Sequence, residues 1–145
     1  MRPKYESSEH RDKEQIFISR LTDKWNVNPL KLPLHYSLDY LLLQKTSNAA
    51  KAWVELKIRT NKMDVYPAYM ISFYKILSAK QLSEASVLPA FLAVQWKDKA
   101  AALRIDKLEN FSLTKGGRRD RNDTSDLEPV AMIPIINFDI ELWEG

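Results

Sequence analysis

The sequence contains no cysteine. Disulfides, thiolate zinc sites and a cysteine nucleophile are excluded together, and a reducing compartment is the natural setting. No run approaches the ~20 apolar residues that cross a bilayer, and "MRPKYESSEHRDKEQ" at the amino terminus has no signal-peptide core. The expectation is a cytoplasmic protein with no membrane partner, in the host cytoplasm if the gene is viral. Internal repeats, coiled-coil heptads and a glycine-rich phosphate loop are also missing. The two histidines, His10 and His35, are too isolated to suggest a metal site or a catalytic dyad.

What is present is a chain of 145 residues, enough for one domain over 1–145 with a core that needs no staple. The net charge is only +3, but it is unevenly spread. Residues 45 to 80 carry Lys45, Lys51, Lys57, Arg59, Lys62, Lys75 and Lys80 against Glu55 and Asp64 alone. Lys115, Arg118, Arg119 and Arg121 form a second cluster. Two separated basic clusters suit a polyanionic partner, although surface lysines also serve simply to keep a small domain soluble.

Residues 8 to 25 have the spacing of an amphipathic helix, with Ser8 as cap, Ile16, Phe17, Leu21 and Trp25 as its stripe, and "VNPLKLP" as its stop. The period then falls to two. "HYSLDYLLLQ" reads as an extended run, "KTSNA" as a turn and "AKAWVELKIRT" as an alternating strand, so a β-hairpin is expected. Residues 67 to 82 predict a second helix, with Pro67 in its first turn and Met70, Phe73, Tyr74 and Leu77 at helical spacing. "AFLAVQW" and "AAALRIDKL" around "KDK" make a second hairpin. Residues 112 to 128 lack apolar periodicity and read as a flexible basic loop. "PVAMIPIINFDIEL" closes the chain as an edge or terminal strand, because Pro134 lacks a ladder N–H. The sum is an α/β fold, a mixed central sheet flanked by helices.

Asp39 stands in this pattern without an obvious reason. Aspartate is disfavoured in strands and costly to bury, yet its neighbours are Leu38, Tyr40, Leu41, Leu42 and Leu43. If the turn is centred on Ser47, Asp39 lies opposite Glu55 and on its face, with Lys57 two residues further along the same face. Opposed carboxylates repel unless a cation lies between them. Mg²⁺ (or Mn²⁺) resolves the conflict, held by Asp39, Glu55 and the carbonyl of Leu56. Lys57 would then orient or deprotonate water, or stabilise charge on phosphoryl oxygens, and the reaction would be phosphodiester hydrolysis. Glu-x-Lys alone is a common solvated strand face, and only Asp39 at the opposed position makes it a candidate site.

Helix, hairpin with Asp39 and then Glu55-x-Lys57, second helix and further strand together resemble the PD-(D/E)XK nuclease superfamily. The resemblance covers about residues 10 to 105. It implies a restriction-endonuclease-like fold with an α-β-β-β-α-β core, and Asp39, Glu55 and Lys57 as the motif residues. Glu14, on the first helix, corresponds to the extra acid that many members carry. Leu38 stands where the motif has proline, and the QxxxY signature of some exonuclease branches is absent from residues 67 to 82. DNA is the implied partner, contacted by Arg59, Lys62 and Lys75 and clamped by the loop residues Lys115, Arg118, Arg119 and Arg121. Two-strand cleavage would suit a homodimer, and cleavage selective for branched or junction DNA would suit a chain with no second recognition domain. The rival expectation is a nuclease-like fold that binds nucleic acid without cutting it. Trp25, Trp53, Trp96 and Trp143 read as packing residues, with Trp53 within reach of substrate.

Overall fold

The computed structural model of the protein describes residues 8–116 and 128–144. Helix α1 (Ser8–Trp25) buries Phe17, Ile18 and Leu21. At 3.6 residues per turn these three share one arc, whereas Ile16, expected in the same stripe, falls opposite them and is 67% exposed. The Ser8 side chain, expected as the cap, lies outside the described residues. Asn26 ends the helix with a left-handed backbone, φ 56°, which asparagine tolerates. The next residues do more than stop the helix, since Val27–Lys31 form strand β1. It lies at the edge of the large sheet, where a residue without an N–H is tolerated and Pro29 can sit.

Strands β2 (Tyr40–Gln44) and β3 (Ala50–Ile58) form the expected hairpin, pairing Tyr40 with Val54, Leu41 with Trp53 and Leu42 with Ala52 before a bulge. This is the register centred on residue 47. β2 is shorter than the apolar run that announces it, because turns and bends before Tyr40 bring the chain back from β1. That connection closes with the Leu32 N–H donating to the Asp39 carbonyl at 2.9 Å.

Beyond the hairpin the sequence reading needs one substantial correction. Residues 68 to 72 are not the start of a helix: Ala68–Ser72 form strand β4, and helix α2 spans Phe73–Ser86. Tyr69 and Ile71 are buried while Met70 between them is exposed, which is a strand period hidden under a helical one. For the same reason Met70, Tyr74 and Leu77, expected on the core stripe, are exposed, and α2 buries Ile76 and Ala79.

Strands β5 (Ala90–Gln95) and β6 (Lys99–Arg104) make the second expected hairpin. Ser112–Gly116, expected within a loop, form strand β7, and residues 117–127 of that segment lie outside the described residues. The last apolar run is two strands, β8 (Glu128–Pro134) and β9 (Ile140–Glu144), with a single short helical turn at Ile135–Asn137 between them.

The strands make a six-stranded sheet, β1-β2-β3-β5-β6-β9, and a three-stranded sheet, β4-β8-β7. Among the described residues only β3 and β5 pair in parallel, a connection that requires a crossover, and β4 and α2 lie in it. One face of the large sheet packs Tyr40, Leu42, Val54 and Leu56 against Phe17, Ile18 and Leu21 of α1. The other packs Leu92, Val94 and Leu103 against Ile76 of α2 and Tyr69, Ile71 and Ile133 of the small sheet. The face of β3 that carries Trp53 and Glu55 is therefore covered, not solvated.

Asp106 fastens α2 to this sheet. Its carboxylate accepts from Arg104 Nε and Nη2 at 2.8 and 2.7 Å, from the Ala90 N–H at 3.2 Å and from Ser83 Oγ at 3.2 Å. Burial alone would raise its pKa, but the hydrogen bonds from Arg104 and Ala90 outweigh burial and hold the carboxyl below its usual range. Asp106→Ala leaves Arg104 and the Ala90 N–H without their acceptor, and the expected loss is about 2 kcal/mol in urea unfolding.

Candidate active site

Asp39 is the last residue before β2, so its side chain escapes the apolar layer that the leucines of β2 define. Its Oδ2 accepts the Leu56 N–H at 2.8 Å, which ties the carboxylate to the middle of β3. Glu55, the residue before Leu56, is fully buried. Its Oε2 lies 3.4 Å from Lys57 Nζ and 3.2 Å from Lys75 Nζ. These are ion pairs without hydrogen-bond geometry, and among the described residues neither carboxylate oxygen of Glu55 has a hydrogen-bond partner.

Burial first, and then the neighbouring Asp39 charge, push the Glu55 carboxyl up to about 7, against the opposing pull of Lys57 and Lys75. Asp39 and Glu55 thus feel each other as the hairpin register requires. Lys57 arrives from the same strand, two residues on. Lys75 arrives from the first turn of α2, where its Nζ also donates to the Ser37 carbonyl. Lys75, expected among the DNA contacts, lies against Glu55. Nothing local marks that contact, because twenty residues and a change of sheet separate the two.

The other expected site residues are spread around this centre. Glu14 pairs with Lys31 Nζ at 3.0 Å and does not join the two carboxylates. Burial would lower the Lys31 pKa, but the Glu14 hydrogen bond, Tyr40 and the charges of Glu14 and Asp39 outweigh it and raise it. Lys31, unforeseen in the sequence, thus stands within electrostatic reach of both acids. Arg59 places its guanidinium 4.7 Å over the Tyr69 ring, and Lys62 is exposed beyond it. Lys115 is exposed on β7, and Arg118, Arg119 and Arg121 lie outside the described residues. Trp53 donates from Nε1 to Ser86 Oγ of α2 at 2.9 Å, so it packs the crossover and is spoken for there.

A cavity of about 340 Å³ opens beside the centre, lined by Ser37, Lys57, Arg59, Ser72 and Lys75, with Glu128 as its acidic member. Three cations on one concave wall can hold a phosphodiester. Among the described residues no three His, Cys, Asp or Glu side chains gather into a metal-holding group. Two carboxylates do stand together, one of them buried, which fits a hard divalent cation completed by backbone, water and substrate oxygens. The strand geometry supplies a backbone candidate. Trp53 and Arg59 donate their N–H groups toward β5, to Pro89 and Gln95. The intervening even-numbered residues therefore turn theirs toward β2, and at Leu56 β2 has already ended. The Leu56 N–H meets Asp39, and its carbonyl faces the same side.

A mixed central sheet of this order with its helices matches the restriction-endonuclease-like fold of the PD-(D/E)XK nuclease superfamily. Residues 1–140 match the family described as "Phage putative PDDEXK endonuclease", and the chain belongs to that family. Among solved structures it is similar to Archaeoglobus fulgidus Hjc, a Holliday junction resolvase from an archaeal hyperthermophile. The TM-score is 0.53 at 10% identity, over 86% of this chain and 87% of that one. At that identity the likeness concerns the fold. No match is found among curated proteins. Among the described residues, no helix is long and apolar enough to cross a membrane.

Proposed function

We propose that the protein is a metal-dependent deoxyribonuclease that cuts internal phosphodiester bonds, acts in the host cytoplasm and prefers branched or junction DNA. The observation that carries the proposal is the pairing of Asp39, fixed on the Leu56 N–H, with a buried Glu55 flanked by two lysines. Asp39, Glu55 and the Leu56 carbonyl would hold Mg²⁺ or Mn²⁺. When bound, the cation would supply Lewis acidity and a more acidic water.

The chain's own groups do the rest. Lys57, partly open to the cavity, orients the attacking water or stabilises charge growing on the phosphoryl oxygens. Lys75 and Arg59, which line the same cavity, hold the phosphate beside it. Glu14 acts at a distance, by holding Lys31 near Asp39. A homodimer would place two such sites on two strands.

The test is cleavage of supercoiled, linear and four-way branched DNA with Mg²⁺ or Mn²⁺, against an EDTA control. Metal-dependent cutting with a preference for branched DNA is expected. Binding without cutting on every substrate would leave a noncatalytic nucleic-acid-binding protein. A further outcome concerns the basic segment. Neutralising Arg118, Arg119 and Arg121 together is expected to weaken DNA binding and reduce the slope of log K against log salt by up to about three contacts' worth. An unchanged slope would remove that segment from the interface.

A further inference from the structure

A second cavity, of about 440 Å³, adjoins the basic one, with Arg59 and Met70 lining both. Its walls are different in kind. Met63, Tyr66, Pro67, Trp96, Met132 and Ile135 make them mainly aromatic and thioether surface. Apart from Arg59 and Asn61 such a wall offers a phosphate nothing, but it suits a flat, polarisable ring.

We propose that this cavity holds a single unstacked nucleobase of the substrate, next to the phosphate bound at Lys57 and Lys75. The inference rests on the nuclease reading for the identity of the neighbouring ligand. Lys57, near the end of β3, and Arg59, the residue just past it, are two residues apart, about 6.6 Å of extended chain, so one nucleotide can have its phosphate on the first and its base beyond the second. Arg59 marks the boundary: its guanidinium lies 4.7 Å over the Tyr69 ring, presenting a cation between the polar and apolar chambers. Tyr69 forms part of the wall, and its buried hydroxyl has no hydrogen-bond partner among the described residues. Among its lining residues, Tyr66 is 60% and Met70 52% exposed, so two large apolar groups stand in water beside a cavity that none of the described residues fills.

A base stacked within continuous duplex cannot reach such a chamber without leaving the stack, whereas a base at a branch point, nick or frayed end is already free. The cavity therefore selects by DNA structure and not by sequence, since any base presents a π-face. The basic chamber beside it provides the charge complementarity that a nucleotide needs.

The test uses the full chain in EDTA, so that binding is read without cleavage, with oligonucleotides carrying 2-aminopurine either unpaired at a branch or paired within continuous duplex. Binding about tenfold tighter to the branched oligonucleotide is expected, with a change in 2-aminopurine emission on binding. Ala68→Phe, which fills the cavity from β4, is expected to abolish both. Tyr66→Ala, at an exposed position that folding does not depend on, is expected to remove most of the preference while duplex binding stays within about twofold. Equal binding of the two oligonucleotides, no binding of either, or a Tyr66→Ala chain indistinguishable from the parent would overturn the proposal. The two readings can fail separately. Preferential binding without cleavage under any metal leaves the base pocket standing and removes the nuclease; cleavage with no preference does the reverse.

Discussion

Asp39→Asn is expected to fold as the parent chain does and to lose cleavage by about 10³-fold or more. The amide oxygen still accepts the Leu56 N–H that Asp39 Oδ2 accepts at 2.8 Å, so the local anchor of β2 onto β3 survives. What disappears is the negative charge beside Glu55. Asp39→Ala removes both, and the difference in stability between the two variants isolates the anchoring hydrogen bond at about 1 kcal/mol. Lys57→Ala should match Asp39→Asn in cleavage while leaving Asp39 and its anchor untouched, since its Nζ meets Glu55 from the open side. Removing a group that stabilises charge only in the transition state commonly costs two to three powers of ten, roughly 3 to 4 kcal/mol. Single-turnover cleavage with saturating Mg²⁺ reads this directly. If Asp39→Asn cuts within tenfold of the parent, Asp39 is not part of the reacting centre.

How the sequence disclosed this centre, and where it did not, follows from the range of each interaction. The hairpin register was legible because alternation and a short turn are local: counting outward from residue 47 sets Asp39 opposite Glu55, and Tyr40 does pair with Val54. The covering of Glu55 was not. An alternating strand with Glu55, Lys57 and Arg59 on one face looks half-wet, and only the crossover through β4 and α2 buries that face. The same crossover was misread, because Met70, Tyr74 and Leu77 repeat at helical spacing while the burial of Tyr69 and Ile71 depends on β8, some sixty residues later. Lys75 reads from the sequence as a helix residue that could face phosphate; its contact with Glu55 exists only once α2 starts at Phe73 and turns its first residues toward β3. Glu14 was placed correctly on α1, but its partner Lys31 lies on a strand that the prolines of "VNPLKLP" had disguised as a helix stop.

The burial of Glu55 also makes the metal-free protein less stable as the pH rises. Its carboxyl titrates near 4.5 when unfolded and is pushed up to about 7 in the fold, first by burial and then by Asp39. Between those values the folded state binds more protons than the unfolded one, so stability falls with pH across that interval and flattens above it. The favourable contribution is fully present below pH about 4.5 and is lost as the pH rises through about 7. Its size is the distance between the two pKa values, about 3 kcal/mol. Asp106 does not confuse the measurement. Its carboxyl is held below the usual range, so its contribution is present above its unfolded pKa and falls away only in more acidic solution. Urea unfolding in EDTA at pH 5 and pH 8 should therefore show the parent chain weaker at pH 8 by up to about 3 kcal/mol. Glu55→Gln, neutral at both, should show little of that fall and be the more stable chain at pH 8. A parent and a Glu55→Gln chain with the same pH dependence would mean that the buried carboxylate is stabilised as an ion by Lys57 and Lys75 alone, with no strain left for a divalent cation to relieve.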